Sequence, residues 1–187
     1  AIASFKEFTT APECDRGIIV NEFQETSLPD VYAVGDCASI HHSDGRKPYG
    51  ELIWYSAKRQ GIAAGKNLFG DKTAYSPPTF FNSSKFFEIE YTTVGDVVRV
   101  PDNAMSIYRY LPGKDVSQRI VYVDDRVIGF NMLGSRWDHE ILERWVEERR
   151  SVEFVRKHLH HAQYDVEFGR LNLNQMRESV LPLGGNS

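Results

Sequence analysis

The stretch TSLPDVYAVGDCA, Thr26 to Ala38, sets a polar, proline-containing lead-in against a short apolar run that stops at Gly35-Asp36. Val31 to Val34 is β-branched and aromatic, the composition of a buried strand, and the glycine after it removes a side chain where the backbone must approach something closely. Asp36 then presents an acceptor at the strand's carboxyl end, where open α/β sheets bind ligands. Many ordinary turns share this Gly-Asp composition, so the pattern alone leaves a plain turn open as well.

Thr26, Pro29, Tyr32, Ala33, Gly35 and Asp36 together resemble the second flavin motif of the FAD-dependent pyridine nucleotide oxidoreductases. In that family the aspartate accepts a hydrogen bond from a ribityl hydroxyl of FAD, and the glycine lets the backbone approach the ribityl-phosphate region. The resemblance assigns these roles to Asp36 and Gly35, with Cys37 beside them. GIIVNE, Gly17 to Glu22, is similar to the strand that precedes the motif in the family.

Composition sets the outer limits. With 187 residues and 41% hydrophobic content the chain can bury a core as one large or two small domains. Lys and Arg total 22 against 26 acidic residues, a net charge of -4, so no basic excess attracts nucleic acid or an anionic membrane. No apolar run approaches the ~20 residues that span a bilayer, and AIASFKEFTT lacks the pattern of a signal peptide. The chain therefore reads as cytoplasmic. Its two cysteines, Cys14 and Cys37, are far apart and read as packing thiols rather than a redox pair or a zinc site.

No Gly-x-Gly-x-x-Gly turn occurs, although a complete FAD and nicotinamide enzyme carries such turns at helix N-termini that bind pyrophosphate. With the flavin-type motif so near Ala1, the expectation is a C-terminal portion of a longer protein, the NAD(P)H co-substrate being bound by a region absent from this chain. His41 to Lys47 reads as a surface loop rather than a metal site. A helix is expected from Glu51 to Leu68 with Ile53, Ala57, Gly61, Ala64 and Leu68 on its packed face, where small residues let another backbone come close, and Gly70 at its stop. WYSAKRQGIAAGKNL is similar to the family helix that aims its N-terminus at the pyrimidine end of the isoalloxazine ring, which implicates Glu51, Leu52, Ile53 and Trp54.

DKTAYSPP, Asp71 to Pro78, reads as a linker and divides the chain into residues 1–75, a segment of a FAD-binding α/β domain, and 76–187, an α+β domain. Phe87, Ile89, Tyr91 and Thr93 alternate with polar residues up to Gly95, as in a half-buried antiparallel strand. Met105 to Leu111 alternates likewise, and Arg119 to Val123 with Arg126 to Met132 reads as a hairpin across Asp124-Asp125. Ser135 with Asp138 predicts the cap of a helix whose stripe is Trp137, Ile141, Leu142 and Trp145, with Glu147 to Arg150 a solvated face. Ser151 predicts the cap of a second helix carrying Val152, Val155 and Leu159, whose end is met by His158, His160 and His161. HHAQYDVEF reads as the end of that helix followed by a strand.

This half resembles the C-terminal domain of the same oxidoreductases, a small antiparallel sheet with helices that contributes to dimers or closes over the flavin. PPTFFNSSKFFEIEYTTVG is similar to the aromatic segment before that domain's first strand, which implicates Phe80 and Phe81 in flavin contact, and RVIGFNMLGSR is similar to its hairpin. The resemblance is to the ferredoxin-reductase, NADH-oxidase and apoptosis-inducing-factor side, since HHAQYD does not reproduce the His-x-x-x-x-Glu of the glutathione-reductase side.

The implied fold class is α+β, a partial FAD-binding α/β segment followed by a small antiparallel sheet packed with helices. The implied function is the C-terminal part of a flavoprotein passing hydride from NAD(P)H to FAD and electrons onward to a protein or small-molecule acceptor. A non-catalytic interaction or dimerisation module is the alternative. No catalytic residue is identified, and neither the acceptor nor the choice of NADH or NADPH is encoded here. Apolar surface around Tyr32, Val34 and the small-residue stripe predicts self-association into a homo-oligomer.

Overall fold

The computed structural model describes residues 10–41, 50–164 and 176–183, which divide into two compact units, one through Pro77 and one from Pro78. The fold is α+β: the described residues form a small parallel pair in the first unit, a six-stranded antiparallel sheet in the second, and three α-helices.

In the first unit β1 (Ile18–Val20) pairs in parallel with β2 (Ala38–Ile40), Ile18 opposite Ala38 and Val20 opposite Ile40. Their side chains join Ala33, Ala63 and Tyr75 in one core, with Cys37 packed against it. The expected strand at Val31 to Val34 does not form; the ladder is made instead by the residues after Gly35-Asp36. The reason is local. Asp30 at φ 60° and Gly35 at φ 72° bracket a run too short to extend, which makes a single bridge, Tyr32 to Glu25. Pro29 brings no N–H, and the Thr26 Oγ1 accepts from Leu28 N–H at 3.1 Å, which turns the lead-in back on itself.

The helix α1 (Trp54–Leu68) begins three residues later than the pattern suggests, so Glu51, Leu52 and Ile53 form its approach. Its buried residues are Gln60, Ala63, Ala64 and Asn67, not the expected stripe: Gly61 and Leu68 are exposed, and Ile53 and Ala57 are half-buried. The face is set by two polar residues that an apolar count passes over. Asn67 donates to the carbonyls of Phe23 (2.7 Å) and Thr73 (3.0 Å) and accepts from Thr73 N–H, and its burial follows from those bonds. Gly70, at φ 84°, ends the helix by donating to the Asn67 carbonyl.

The second unit is built on strands β3 (Phe81–Phe86), β4 (Ile89–Gly95), β5 (Met105–Leu111), β6 (Val116–Val123), β7 (Arg126–Leu133) and β8 (Arg177–Pro182) in the order β3-β4-β7-β6-β5-β8. Register aligns Phe81, Val94, Phe130, Ile120 and Ile107 in one cross-strand row, and all five are buried. The helices α2 (His139–Glu147) and α3 (Val152–His158) cover this face, α2 against β4 and β7, with Trp145 tilted on Phe130 at 6.4 Å. Leu142, Val155 and Leu159 complete the core. The β6–β7 hairpin turns at Asp124 and Asp125, both at positive φ, the geometry that matches strand twist.

Three expectations change here. Phe87 is not an inward strand residue; it sits at φ 51° in the β3–β4 turn and is 96% exposed. The aromatic stretch before it contributes β3, a strand whose polar composition hid it. Asp138, not Ser135, caps α2, its carboxylate accepting from Glu140 and Ile141 N–H. Ser151 caps α3 as expected, accepting from Phe154 N–H at 3.2 Å, and His158 Nδ1 lies 2.7 Å from the Phe154 carbonyl near the helix end. The strand expected after the histidines falls at residues 165–170, outside the described residues, as does most of the His41 to Lys47 loop.

Candidate functional site

Gly35, Asp36 and Cys37 form a 3-10 turn between the bridge at Tyr32 and β2. Gly35 takes φ 72°, and a Cβ built on it would lie 3.2 Å from the Cβ of Ala57 in the first turn of α1. Glycine is needed here for both conformation and proximity. The buried Gly35 N–H donates to Gln60 Oε1 at 2.7 Å, which fixes the turn to the helix. Asp36, next in sequence, is left exposed with its carboxylate outward. Cys37 is half-buried, its Sγ donating to the Val34 carbonyl at 3.3 Å.

Of the four residues expected at the helix start, Trp54 is the first of α1, Ile53 its N-cap, and Glu51 and Leu52 precede it. No side chain caps this N-terminus and no acidic residue stands in its first turn, so its positive end is not offset by a carboxylate of its own helix. Leu52 is 71% and Trp54 68% exposed. Glu51 points the other way, where its Oε2 accepts from Gln60 Nε2 at 3.0 Å and from the Tyr75 hydroxyl at 2.5 Å. From sequence, Gln60 enters only through the family-like helix WYSAKRQGIAAGKNL, and neither it nor Tyr75 is given a role at the site; a glutamine amid the alanines and glycines of α1 was the available signal.

Phe81 belongs to the second unit, where it begins β3, is buried, and stacks on His139 with centroids 4.2 Å apart. Phe80 is half-exposed beside it.

Before β1, Asp15 makes a second polar knot. Its carboxylate accepts from Gly17 N–H (3.0 Å), from the Ser39 hydroxyl (3.1 Å) and from His41 Nε2 (3.0 Å). Desolvation raises its pKa, but the bonds from Gly17, His41, Ser39 and Arg16 outweigh it and lower the value from 3.8 to about 2. A carboxyl depressed on folding contributes stability above its unfolded pKa and loses it as pH falls through the folded value. Asp15→Asn is thus expected to lower the urea midpoint near pH 6 and to leave it unchanged at ~pH 2, where the wild-type group is itself becoming protonated. Equal effects at both pH values would show that the carboxylate charge is not what the knot uses.

No protein-family model matches the sequence. The chain is 33% identical over 134 residues to an NADH oxidase of Methanocaldococcus jannaschii, covering 63% of this chain and 29% of that protein. It is 30% identical to the ferredoxin--NAD(+) reductase component of the p-cumate 2,3-dioxygenase system of Pseudomonas putida, covering 73% of this chain and 33% of that one. In fold it superposes on a FAD-dependent pyridine nucleotide-disulphide oxidoreductase from Desulfovibrio vulgaris with a TM-score of 0.57 and 24% identity, over 81% of this chain and 40% of the other. The relatives and structural neighbours of this chain are FAD-dependent pyridine nucleotide-disulfide oxidoreductases. It spans about a third of the length of the curated relatives it matches.

Proposed function

We propose that this chain is part of a FAD-dependent NAD(P)H oxidoreductase and supplies its flavin-facing Gly35-Asp36 turn together with an adjoining α+β domain. The observation that carries this reading is the turn itself: Gly35 is tied to α1 through Gln60, which leaves Asp36 exposed at the next position, and no side chain caps the α1 N-terminus. That arrangement fits FAD, which needs an acceptor for a ribityl hydroxyl and a positive field for the electron-rich edge of its ring. Bound FAD would supply the hydride and electron transfer.

The chain's own residues hold and orient. Asp36 accepts the hydroxyl, Gly35 admits the cofactor's close approach, and Cys37 lies beside them. Leu52, Ile53 and Trp54 wall the helix start, where the α1 dipole favours negative charge. Glu51 braces this wall from behind through Gln60 and Tyr75. Flavin contact by Phe80 and Phe81 rests on the resemblance alone; within its own unit Phe81 is buried and stacked on His139. NAD(P)H binds outside this chain, and an electron-carrier protein is the acceptor class suggested by the ferredoxin--NAD(+) reductase component among the relatives.

A cytoplasmic location and self-association belong to the same proposal. Among the described residues no helix is long and apolar enough to cross a membrane. Exposed Ile62 and Phe69, away from that wall, offer apolar surface on which copies would meet.

The test is an absorbance spectrum with mass spectrometry of the full-length gene product, which is expected to carry FAD. Residues 1–187 by themselves are expected not to retain stoichiometric flavin through gel filtration, because they contain no glycine-rich turn for the pyrophosphate. A colourless full-length protein that takes up no added FAD would favour a non-catalytic interaction module instead.

A further inference from the structure

Gln60 is fully buried in the middle of α1, in a chain region otherwise packed with alanine and glycine. A glutamine in such a place costs free energy unless its amide is satisfied at both ends. It is satisfied, and in one orientation only. Gly35 N–H can only donate, so it faces Oε1; the Glu51 carboxylate can only accept, so it faces Nε2. Turning the amide over would set donor against donor at Gly35 and acceptor against acceptor at Glu51. The Tyr75 hydroxyl donates to the same Glu51 oxygen, and Tyr75 is itself anchored by its N–H on the Glu22 carbonyl.

Resting on the flavin reading above, we infer that Gln60 is the positioning residue for the Asp36 carboxylate, its amide locked by the Glu51–Tyr75 pair so that it holds the Gly35 peptide at the left-handed φ from which Asp36 projects. Four separate parts of the unit meet in this relay: the Gly-Asp turn, the middle of α1, the approach to α1, and the segment after it. Asp36 has no need of a side-chain brace of its own, because the peptide before it is fixed. Asp36 and Glu51 consequently have opposite duties: one carboxylate is exposed for a ligand and the other is spent on orientation.

The relay can be reversed without changing its shape. Gln60→Glu alone keeps an acceptor for Gly35 but sets two carboxylates together. Gln60→Glu combined with Glu51→Gln restores a donor to the gap, since the exchanged pair can again bond each other, Gly35 and Tyr75. In the full-length gene product, the single Gln60→Glu variant is expected to weaken FAD binding about tenfold or more, read by flavin fluorescence, and the exchanged double variant to recover to within about threefold of wild type. Thermal unfolding of each apoprotein is recorded alongside. Equal losses in single and double variants would overturn the inference, as would unchanged affinity in the single variant.

Hydrogen exchange at the Gly35 amide of residues 1–187 separates this inference from the flavin reading. Exchange should accelerate at least about tenfold in Gln60→Glu and return toward wild type in the double variant. If wild-type protein binds no FAD, the flavin reading falls, and the exchange measurement alone decides the relay. A Gly35 amide equally protected in all three proteins overturns it.

Discussion

Gly95→Ala is expected to destabilise the second unit severely. A Cβ at this position would lie 2.2 Å from the Ile128 carbonyl oxygen and 3.1 Å from the Gly129 Cα, on a backbone at φ 67°. The atoms in the way are backbone of the paired strand β7, so no side chain can swing aside. Asp96 N–H donates to that same Ile128 carbonyl at 2.8 Å, which pins the two chains together just where the methyl would enter. The left-handed conformation alone costs an L-residue roughly 1–2 kcal/mol, and the overlap adds about 1–3 kcal/mol more as the strands separate. Against a typical stability of about 5–15 kcal/mol, a loss of this size where β4 crosses onto β7 removes much of the margin. Urea unfolding followed by circular dichroism should show the transition displaced to much lower denaturant. Gly113→Ala is the control, at φ 74° with nothing within 4 Å of the added Cβ, and should cost only the conformational part. If the two variants unfold alike, the crossing of Gly95 over β7 is not what glycine serves there.

Asp36→Ala should weaken FAD binding by the full-length gene product about tenfold to a hundredfold, the equivalent of ~1.5–3 kcal/mol for a hydrogen bond to a charged acceptor. Its effect on folding should be small. Asp36 is exposed, and the turn is held by the Gly35 N–H on Gln60, which the substitution does not touch. The two readouts therefore move separately: flavin affinity falls while the thermal midpoint stays within the range of ordinary surface changes. Unchanged flavin content and reduction rate in this variant would remove Asp36 from the binding machinery and leave Gly35-Asp36 as a plain turn.

Parts of this fold could be read directly from sequence, and the reasons differ by element. β5 and the β6–β7 hairpin alternate polar with apolar residues because one face carries Ile107, Ile120 and Phe130 into the core, and that period survives in the sequence. Ser151 could be recognised because a cap is a local bond, made within three residues. β3 and β8 could not. FNSSKF and RESVLP carry no apolar period, and their pairing with β4 and β5 makes them strands. The packed face of α1 was misread for the opposite reason, since Gln60 and Asn67 are polar yet buried, and Gly61 is small yet exposed.

At the candidate site, the glycine followed by a carboxylate stands out in sequence because its unusual backbone needs a particular residue type. The brace behind it does not stand out: Gln60 lies nine residues from Glu51, and Tyr75 lies 24 from it. Only the folded chain brings those three together.

The position of β8 also fixes an order of assembly. Its pairing with β5 joins Ser106 to Leu181 across 75 residues, whereas β6 and β7 are joined by a turn of two. A long closure loses chain entropy before any contact compensates for it, so the central hairpin forms early and β8 docks late. The same asymmetry governs how the native sheet comes apart. All six residues of β8 are exposed and bonded along one edge, with Glu178 tied to Arg109 and Arg156. It can lift away while the Phe130–Trp145 core stays shut. The second unit thus has a fast-opening margin and a slow-opening centre, and a protease cutting native protein would reach the margin long before the core gives way.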